Sequence, residues 1–149
     1  NGHLCVVEWL HANPTYKSCA RQSMDKAAMN GHLHVLEWLH VNRSWLHANR
    51  NEGCTTKAMD WAIGNGHLLV VEWLHTNRAK GCCPNALYYA AENGHLSVLK
   101  WLRTNRPELC GTWLMSEAAK NGHLSVVEWL HANRTEGCTT DAMDWAAGQ

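Results

Sequence analysis

Phenylalanine is absent from the sequence, and the aromatic residues are nine tryptophans and three tyrosines. So narrow a choice of aromatic residues indicates a single motif copied many times. Charged residues are also scarce, at 17% of the chain, and 13 basic residues balance 13 acidic ones. A chain without net charge has no overall field that would attract DNA, RNA or anionic lipid. No apolar run approaches the roughly 20 residues that span a bilayer, so we expect neither nucleic acid nor a membrane as a partner.

Targeting signals are missing as well, because no secretory signal pattern is present and the chain begins at Asn1 rather than at methionine. This beginning favours a processed product or a fragment of a longer protein. The 149 residues are enough for one ordinary domain with a continuous core.

A repeat runs along the whole chain. The tetrapeptide Asn-Gly-His-Leu begins at Asn1, Asn30, Asn65, Asn93 and Asn121. The shortest interval is 28 residues, and the longest, of 35 residues, contains a duplicated heptad in which residues 38–44 are followed by the similar residues 45–51. A period of this length indicates a solenoid of stacked repeats. The extra heptad either extends a helix or loops out, and in both cases Trp45 and Leu46 form a candidate second contact edge.

Each repeat has the periodicity of two helices. The second helix is predicted from Leu124 to Asn133 in the last copy. Its wide apolar arc, expected to be buried between neighbours, contains Leu124, Val126, Val127, Leu130 and His131, with Trp129 at its edge. The first helix is expected to bury a stripe of small and apolar residues, represented by Ala142, Met143, Ala146 and Ala147. The glycine of each Asn-Gly-His-Leu motif suits the left-handed position that ends a helix.

The other positions of the first helices differ among the copies and are predicted to face outward. One such column contains Asp25, Asp60, Tyr88, Ser116 and Asp144. Exposed aromatic residues beside charges are typical of protein interfaces. The predicted contact residues are Lys26, Lys57, Trp61, Tyr88, Tyr89, Glu92, Trp113, Glu117, Lys120, Asp141 and Trp145. The alternative interpretation is that these surface positions simply tolerate substitution.

Residues 118–128, which read AAKNGHLSVVE, resemble the core motif of the ankyrin repeat, and the resemblance extends over essentially the whole chain. The copies are shorter than the roughly 33 residues usual in that family, and Asp25, Asp60 and Asp144 replace its usual histidine. The resemblance implies an all-α, ankyrin-like helix–turn–helix solenoid with reduced or absent β-hairpin fingers. We expect residues 1–149 to form a single array of five repeats that begins on a second helix, ends on a first helix and belongs to a longer array.

The resemblance also implies protein–protein recognition through the concave face of the first helices and the adjoining loops. We therefore expect a scaffold that binds another protein, is not an enzyme and needs no cofactor. The sequence contains no Ser–His–acid set, phosphate loop or nucleotide fingerprint. The alternative function is a structural array that assembles end to end, because neither predicted end has an obvious polar cap.

Cysteine and histidine recur once per repeat, which raises the question of metal binding. Five cysteines share one column, Cys19, Cys54, Cys82, Cys110 and Cys138. Stacked helices lie roughly 8–10 Å apart, beyond the reach of a disulfide, so reduced thiols and a cytoplasmic location are favoured. One imidazole per repeat does not supply the four converging ligands of a zinc site. We expect the histidine after each glycine to form structural hydrogen bonds instead.

Tryptophan also occupies one column, with Trp9, Trp38, Trp73, Trp101 and Trp129 at equivalent positions of the second helices. We interpret this column as packing between second helices. Stacking on a ligand is the alternative.

Overall fold

The structure is a computed structural model that describes residues 1–13, 20–42, 55–77, 81–83, 85–106, 113–133 and 146–148. Within these ranges all regular secondary structure is helical, and no strand occurs. The prediction of an all-α fold is therefore confirmed. The predicted contact residues Trp45, Leu46, Asp141 and Trp145 lie outside the described residues, and so does most of each return loop.

The described part of the chain contains nine helices, which follow the predicted order of first and second helices. They are α1 (Leu4–Ala12), α2 (Ala20–Met29), α3 (Leu33–Val41), α4 (Thr56–Gly64), α5 (Leu68–Asn77), α6 (Ala86–Glu92), α7 (Leu96–Asn105), α8 (Leu114–Lys120) and α9 (Leu124–Asn133). Helix α1 is a second helix, and the other eight form four first–second pairs. The bounds of α9 agree with the predicted second helix.

The Asn-Gly-His-Leu motif forms the turn between the two helices of a repeat. Gly94 has a φ of 75°, and the His95 N–H reaches back to the Ala90 carbonyl at 2.8 Å. This left-handed glycine with a six-residue backbone bond ends α6 as a Schellman motif ends a helix. The φ values of Gly31, Gly66 and Gly122 are 73°, 76° and 73°, which confirms the prediction that glycine ends the first helix in each copy.

Asparagine ends the second helices in a similar way. The side-chain amide of Asn105 donates to the Trp101 carbonyl four residues earlier at 2.9 Å, and Asn133 donates to the Trp129 carbonyl at 2.8 Å. The same bond occurs at the ends of α1, α3 and α5. Each of these amides satisfies one of the carbonyl groups that a helix leaves unpaired at its C-terminal end.

Small and branched side chains form the core. In α6 the buried stripe consists of Ala86, Leu87, Ala90 and Ala91, as predicted for a first helix, and in α7 it consists of Val98, Leu99 and Leu102. The buried arc of α9 is narrower than predicted. Val126 and Leu130 are buried, whereas Leu124 and His131 are exposed. Leu124 lies at the first position of its helix, and no residue described after α9 covers either side chain.

By their internal contacts the residues form two compact units. Unit 1 contains Asn1–Ala62 and Leu69–Cys82, and unit 2 contains Ile63–Leu68 and Cys83–Gln149. In unit 1, α2 packs against α3, and α1 contacts α3. In unit 2, α8 packs against α6 and α9, and α7 contacts α6 and α9.

Candidate functional site

The histidine of the Asn-Gly-His-Leu motif connects neighbouring repeats. In unit 2 the His95 Nε2 lies 3.0 Å from the Gly64 carbonyl oxygen, and the His123 Nε2 lies 2.8 Å from the Glu92 carbonyl oxygen. A carbonyl oxygen only accepts, so Nε2 carries the proton in both rings. The Asn93 side-chain amide donates to the same Gly64 oxygen at 3.0 Å. The predicted structural role of these histidines is confirmed for His95 and His123.

His95 has a perturbed titration. Burial lowers its pKa below 6.5, and the neighbouring His67 and His123 lower it further, while the bond to the Gly64 carbonyl acts in the opposite direction. Since the effect of burial outweighs that of the bond to Gly64, the folded state favours the neutral ring. A structural role accounts for this pKa, which therefore does not mark a catalytic base.

The tryptophan column packs against cationic or imidazole side chains of the preceding repeat. His11 meets Trp38 edge to face with ring centroids 5.0 Å apart, and His40 meets Trp73 in the same way at 5.0 Å. In unit 2 the Arg103 guanidinium lies 5.7 Å from the centroid of the Trp129 ring. These contacts confirm packing between second helices. The positions of both columns on the second helices follow from the sequence, but their contact does not, because it depends on the offset between repeats.

Cysteine does not form a site in the described residues. Cys5 is an exposed thiol and Cys82 and Cys83 are half-buried, and the other members of the cysteine column lie outside the described ranges. No group of three or more His, Cys, Asp or Glu side chains in the described residues has the geometry to hold a metal ion.

One column of the first helices faces inward, contrary to the prediction. Asp25 and Ser116 are both buried, and Tyr88 is half-buried. Asp25 accepts two bonds from the next repeat, from the Thr55 N–H at 2.9 Å and from the Thr55 hydroxyl at 3.0 Å. The column was predicted to be exposed because its members differ among the copies. The Asp25 carboxylate and the Tyr88 hydroxyl instead bond to the following repeat.

In unit 1 the predicted contact residues are exposed. Lys26 lies on α2, and Lys57 and Trp61 lie on α4. Lys57 and Trp61 are four residues apart and therefore share a helix face. The Trp61 side chain is 38% exposed, although indole is costly to leave in water. This face of unit 1 thus combines positive charge with an aromatic ring.

In unit 2 the same helix face is aromatic and acidic. Tyr89 is 41% exposed and Trp113 is 72% exposed, and Glu92 is half-buried. The Tyr89 ring meets the Tyr88 ring edge to face, with centroids 5.7 Å apart. Trp113 directly precedes α8, and its carbonyl accepts the Glu117 N–H at 3.0 Å, which places the two residues one turn apart on one face.

Glu117 is not at the surface, so the prediction of its exposure is wrong. The side chain is 8% exposed, and the Tyr88 hydroxyl of the preceding repeat donates a hydrogen bond to its carboxylate. The Lys120 Nζ lies 3.9 Å from the Glu117 Oε2, and the Lys120 side chain is exposed. Glu117 Oε2 is buried and accepts no hydrogen bond from the described residues. The equivalent Lys26, Trp61 and Tyr89 of other copies are exposed.

Tyr88 is held as a hydrogen-bond donor. Burial raises its pKa above 10.0, and the negative charges of Glu117 and Glu92 raise it further. Both effects disfavour the phenolate, so the hydroxyl keeps the proton that it donates to Glu117.

Comparison with known proteins supports the assignment of these repeats to a known family. A family model described as ankyrin repeats (3 copies) matches residues 24–110. No curated protein matches the chain. Among the described helices none is long and apolar enough to cross a membrane.

Proposed function

The chain belongs to the ankyrin-repeat family, and from this premise we propose that it is a scaffold that binds a partner protein through the exposed face of its first helices. Ankyrin repeats are generally protein–protein interaction modules. In this family the first helices and adjoining loops form the concave face, which is where we place the contact.

The observation that supports this proposal most directly is the exposure of large aromatic side chains on first helices. Trp61 in unit 1 and Tyr89 and Trp113 in unit 2 all leave ring surface in water, each beside charged residues. Most aliphatic residues of the same helices are buried. Tryptophan and tyrosine contribute a disproportionate share of binding energy at protein interfaces. Lys26, Lys57, Glu92 and Lys120 are the charged residues that we place at the rim of this contact.

Removal of the three aromatic rings tests the proposal. We expect W61A/Y89A/W113A to lose capture of the partner that the wild-type chain retains from a cell extract, with each ring contributing on the order of 1–2 kcal/mol to binding. Thermal stability should change little, because exposed side chains contribute little to folding. The measurements are affinity capture with quantitative mass spectrometry, followed by titration of the recovered partner.

A matched control removes exposed apolar surface from the second helices. V41A/L69A/L124A deletes three exposed aliphatic side chains that lie off the proposed face. Retained capture by this control and lost capture by the aromatic variant would support the proposal. Equal capture by all three proteins would refute it.

A second candidate function is end-to-end self-association, and the surface of α1 favours it. Trp9 is 62% exposed, and Val6 and Leu10 are exposed as well. The equivalent Val35 and Leu39 of α3 are buried. Helix α1 thus exposes apolar positions whose counterparts in α3 are buried, and α3 has α2 packed against it. Light scattering across a hundredfold range of concentration tests this candidate, since V6E/L10E should abolish any rise in mass.

A further inference from the structure

The turn between the two helices of a repeat contains a chemically reactive sequence. Asparagine followed by glycine deamidates readily, because glycine has no side chain to hinder attack by its own backbone nitrogen on the asparagine side chain. This pair occurs five times, at Asn1, Asn30, Asn65, Asn93 and Asn121, and each time His-Leu follows it. Since the reacting residues and the two that follow are the same in every copy, the fold is the main source of any difference in rate between copies.

The reaction at Asn93 needs only water. The Gly94 amide nitrogen loses its proton to hydroxide and attacks the Asn93 Cγ. A bond forms between this nitrogen and Cγ, the bond from Cγ to Nδ2 breaks, and Nδ2 takes a proton from water and leaves as ammonia. Water then opens the cyclic imide at one of its two carbonyl groups, which leaves aspartate or isoaspartate. Asn93 is exposed, so water reaches it in the folded protein.

The folded chain holds both reacting groups apart from each other. The Asn93 side-chain amide donates to the Tyr89 carbonyl within α6 and to the Gly64 carbonyl of the preceding repeat, each at 3.0 Å. The attacking nitrogen is also engaged, because the Gly94 N–H donates to the Ala91 carbonyl at 3.2 Å. Ring closure requires the side chain to rotate toward Gly94, and this rotation breaks the bond to the preceding repeat.

The following repeat holds the same turn from the other side. The His123 Nε2 bonds to the carbonyl of Glu92, the residue before Asn93, at 2.8 Å. Its imidazole also lies against Gly94, since a Cβ built on this glycine would be 2.6 Å from the His123 Nδ1. Movement of the Gly94 backbone toward the asparagine therefore requires the histidine of the next repeat to move as well. The turn after α6 is held by both of its neighbours.

We propose that Asn93 is a latent modification site, which the contacts between repeats protect and which deamidates when neighbouring repeats separate. The product does not restore the contact. An aspartate at this position has no N–H to donate, and its carboxylate faces the Gly64 and Tyr89 carbonyl oxygens, which carry negative partial charge at helix C-termini. A transient separation of repeats, of the kind that native proteins undergo locally, thus becomes permanent.

Rates of deamidation in the full chain test the protection. The protein is incubated at mildly alkaline pH in buffer and in guanidinium chloride, and aspartate and isoaspartate are quantified by peptide mapping with mass spectrometry. Asn30 is the internal reference, because its amide also donates to the carbonyl four residues earlier, that of Lys26, at 2.8 Å. We expect Asn93 and Asn30 to react at similar rates in denaturant, and Asn93 to react several-fold more slowly in buffer than in denaturant. An Asn93 rate that is the same in both solutions would overturn the proposal.

A variant opens the turn without changing the sequence around Asn93. H123A removes the ring that lies against Gly94 and the bond to Glu92, so Asn93 should deamidate several-fold faster in buffer while Asn30 keeps its rate. H131A is the matched control, since it removes an exposed histidine from the same helix and should change neither rate. Equal Asn93 rates in H123A and H131A would refute protection by the following repeat. If H123A does not fold, the rates of the wild type in buffer and denaturant decide.

The effect of the product is measured on variants that carry it from the start. N93D and N30D both place a carboxylate at the end of a first helix and remove a bond to the carbonyl four residues earlier. N93D also removes the bond to the Gly64 carbonyl of the preceding repeat. We therefore expect a lower midpoint of urea unfolding for N93D than for N30D. Equal midpoints would show that modification of Asn93 does not separate the repeats, and the proposal would be wrong.

Discussion

At the scale of single residues, the contact between repeats depends on a glycine that faces a ring. A Cβ built on Gly94 would lie 2.6 Å from the His123 Nδ1, and one on Gly66 would lie 2.6 Å from the His95 Nδ1. Both glycines also have positive φ. The glycine is thus required twice, once for the backbone conformation and once for the approach of the next histidine. Gly122 has the same conformation, but no atom of the described residues lies within 4 Å of its Cβ position.

The two requirements can be measured separately. G122A should lose roughly 1–2 kcal/mol of stability, the cost of placing alanine in the left-handed region. G94A should lose about 1–3 kcal/mol more, because its methyl group overpacks against the His123 imidazole. Urea unfolding of both variants and the wild type measures the difference. If the two variants lose the same free energy, the imidazole contact does not constrain Gly94.

Asp25 is a single residue whose expected contribution to stability depends on a contact with the next repeat. Its carboxylate binds the N–H and the hydroxyl of Thr55, directly before α4 begins at Thr56. We expect D25A to destabilise the protein by roughly 0.5–2 kcal/mol, the usual cost of losing a polar group that satisfies a helix start. E37A removes an exposed carboxylate from α3 and serves as the control, with a change below about 0.5 kcal/mol. Equal losses in urea unfolding would contradict a capping role for Asp25.

At the scale of helices, neighbouring second helices contact each other through a tryptophan on one helix and an arginine or histidine on the other. Arg103 near the end of α7 lies over the Trp129 ring of α9 and donates to the Asn133 carbonyl. The His40–Trp73 pair occupies the equivalent positions in unit 1. An arginine or histidine side chain therefore contacts the indole ring in each unit, and the column accepts either residue because both interact favourably with an aromatic ring.

A double-mutant cycle measures this contact. R103A, W129A and the double variant should give a coupling free energy of roughly 0.5–1 kcal/mol, the value for exposed cation–π pairs. R103K keeps the charge but loses the planar group, so it should retain less than the full coupling. Thermal or urea unfolding supplies the four free energies. Additive losses in the double variant would show that the contact contributes nothing measurable.

At the scale of the whole molecule, the periodicity of the sequence was sufficient to predict the helices. The 28-residue period, the left-handed glycine and the apolar stripes are local properties, and they appear where they were expected, except that the buried arc of α9 is narrower. Contacts between copies were not predictable in this way. Asp25 bonds to a residue 30 positions away, and Glu117 is buried although Lys26 and Tyr89 in the same column are exposed. A single column does not reveal which side chain of the preceding repeat covers it.

The repetition of histidine along the chain predicts that the protein loses stability in acid. The pKa of His95 is lowered in the folded state, so the folded protein binds fewer protons than the unfolded chain, whose histidines titrate at about 6.5. Stability is therefore complete above about pH 6.5 and falls as the pH decreases through that value. We expect the melting temperature to be lower at pH 5.5 than at pH 7.5. A flat profile between these values would contradict this linkage.

The variant H95Q separates the effect of His95 from that of the carboxylates and of the other ten histidines in the chain. A glutamine amide still donates to the Gly64 carbonyl but does not titrate, so H95Q should lose less stability on acidification than the wild type. H34Q is the matched control, because the exposed His34 ring also bonds to a backbone carbonyl, that of Gly2, at 2.9 Å. If both variants follow the wild-type profile, the acid sensitivity comes from groups other than His95. If H95Q alone is less sensitive, burial of one ring between repeats determines how the folded state responds to protons.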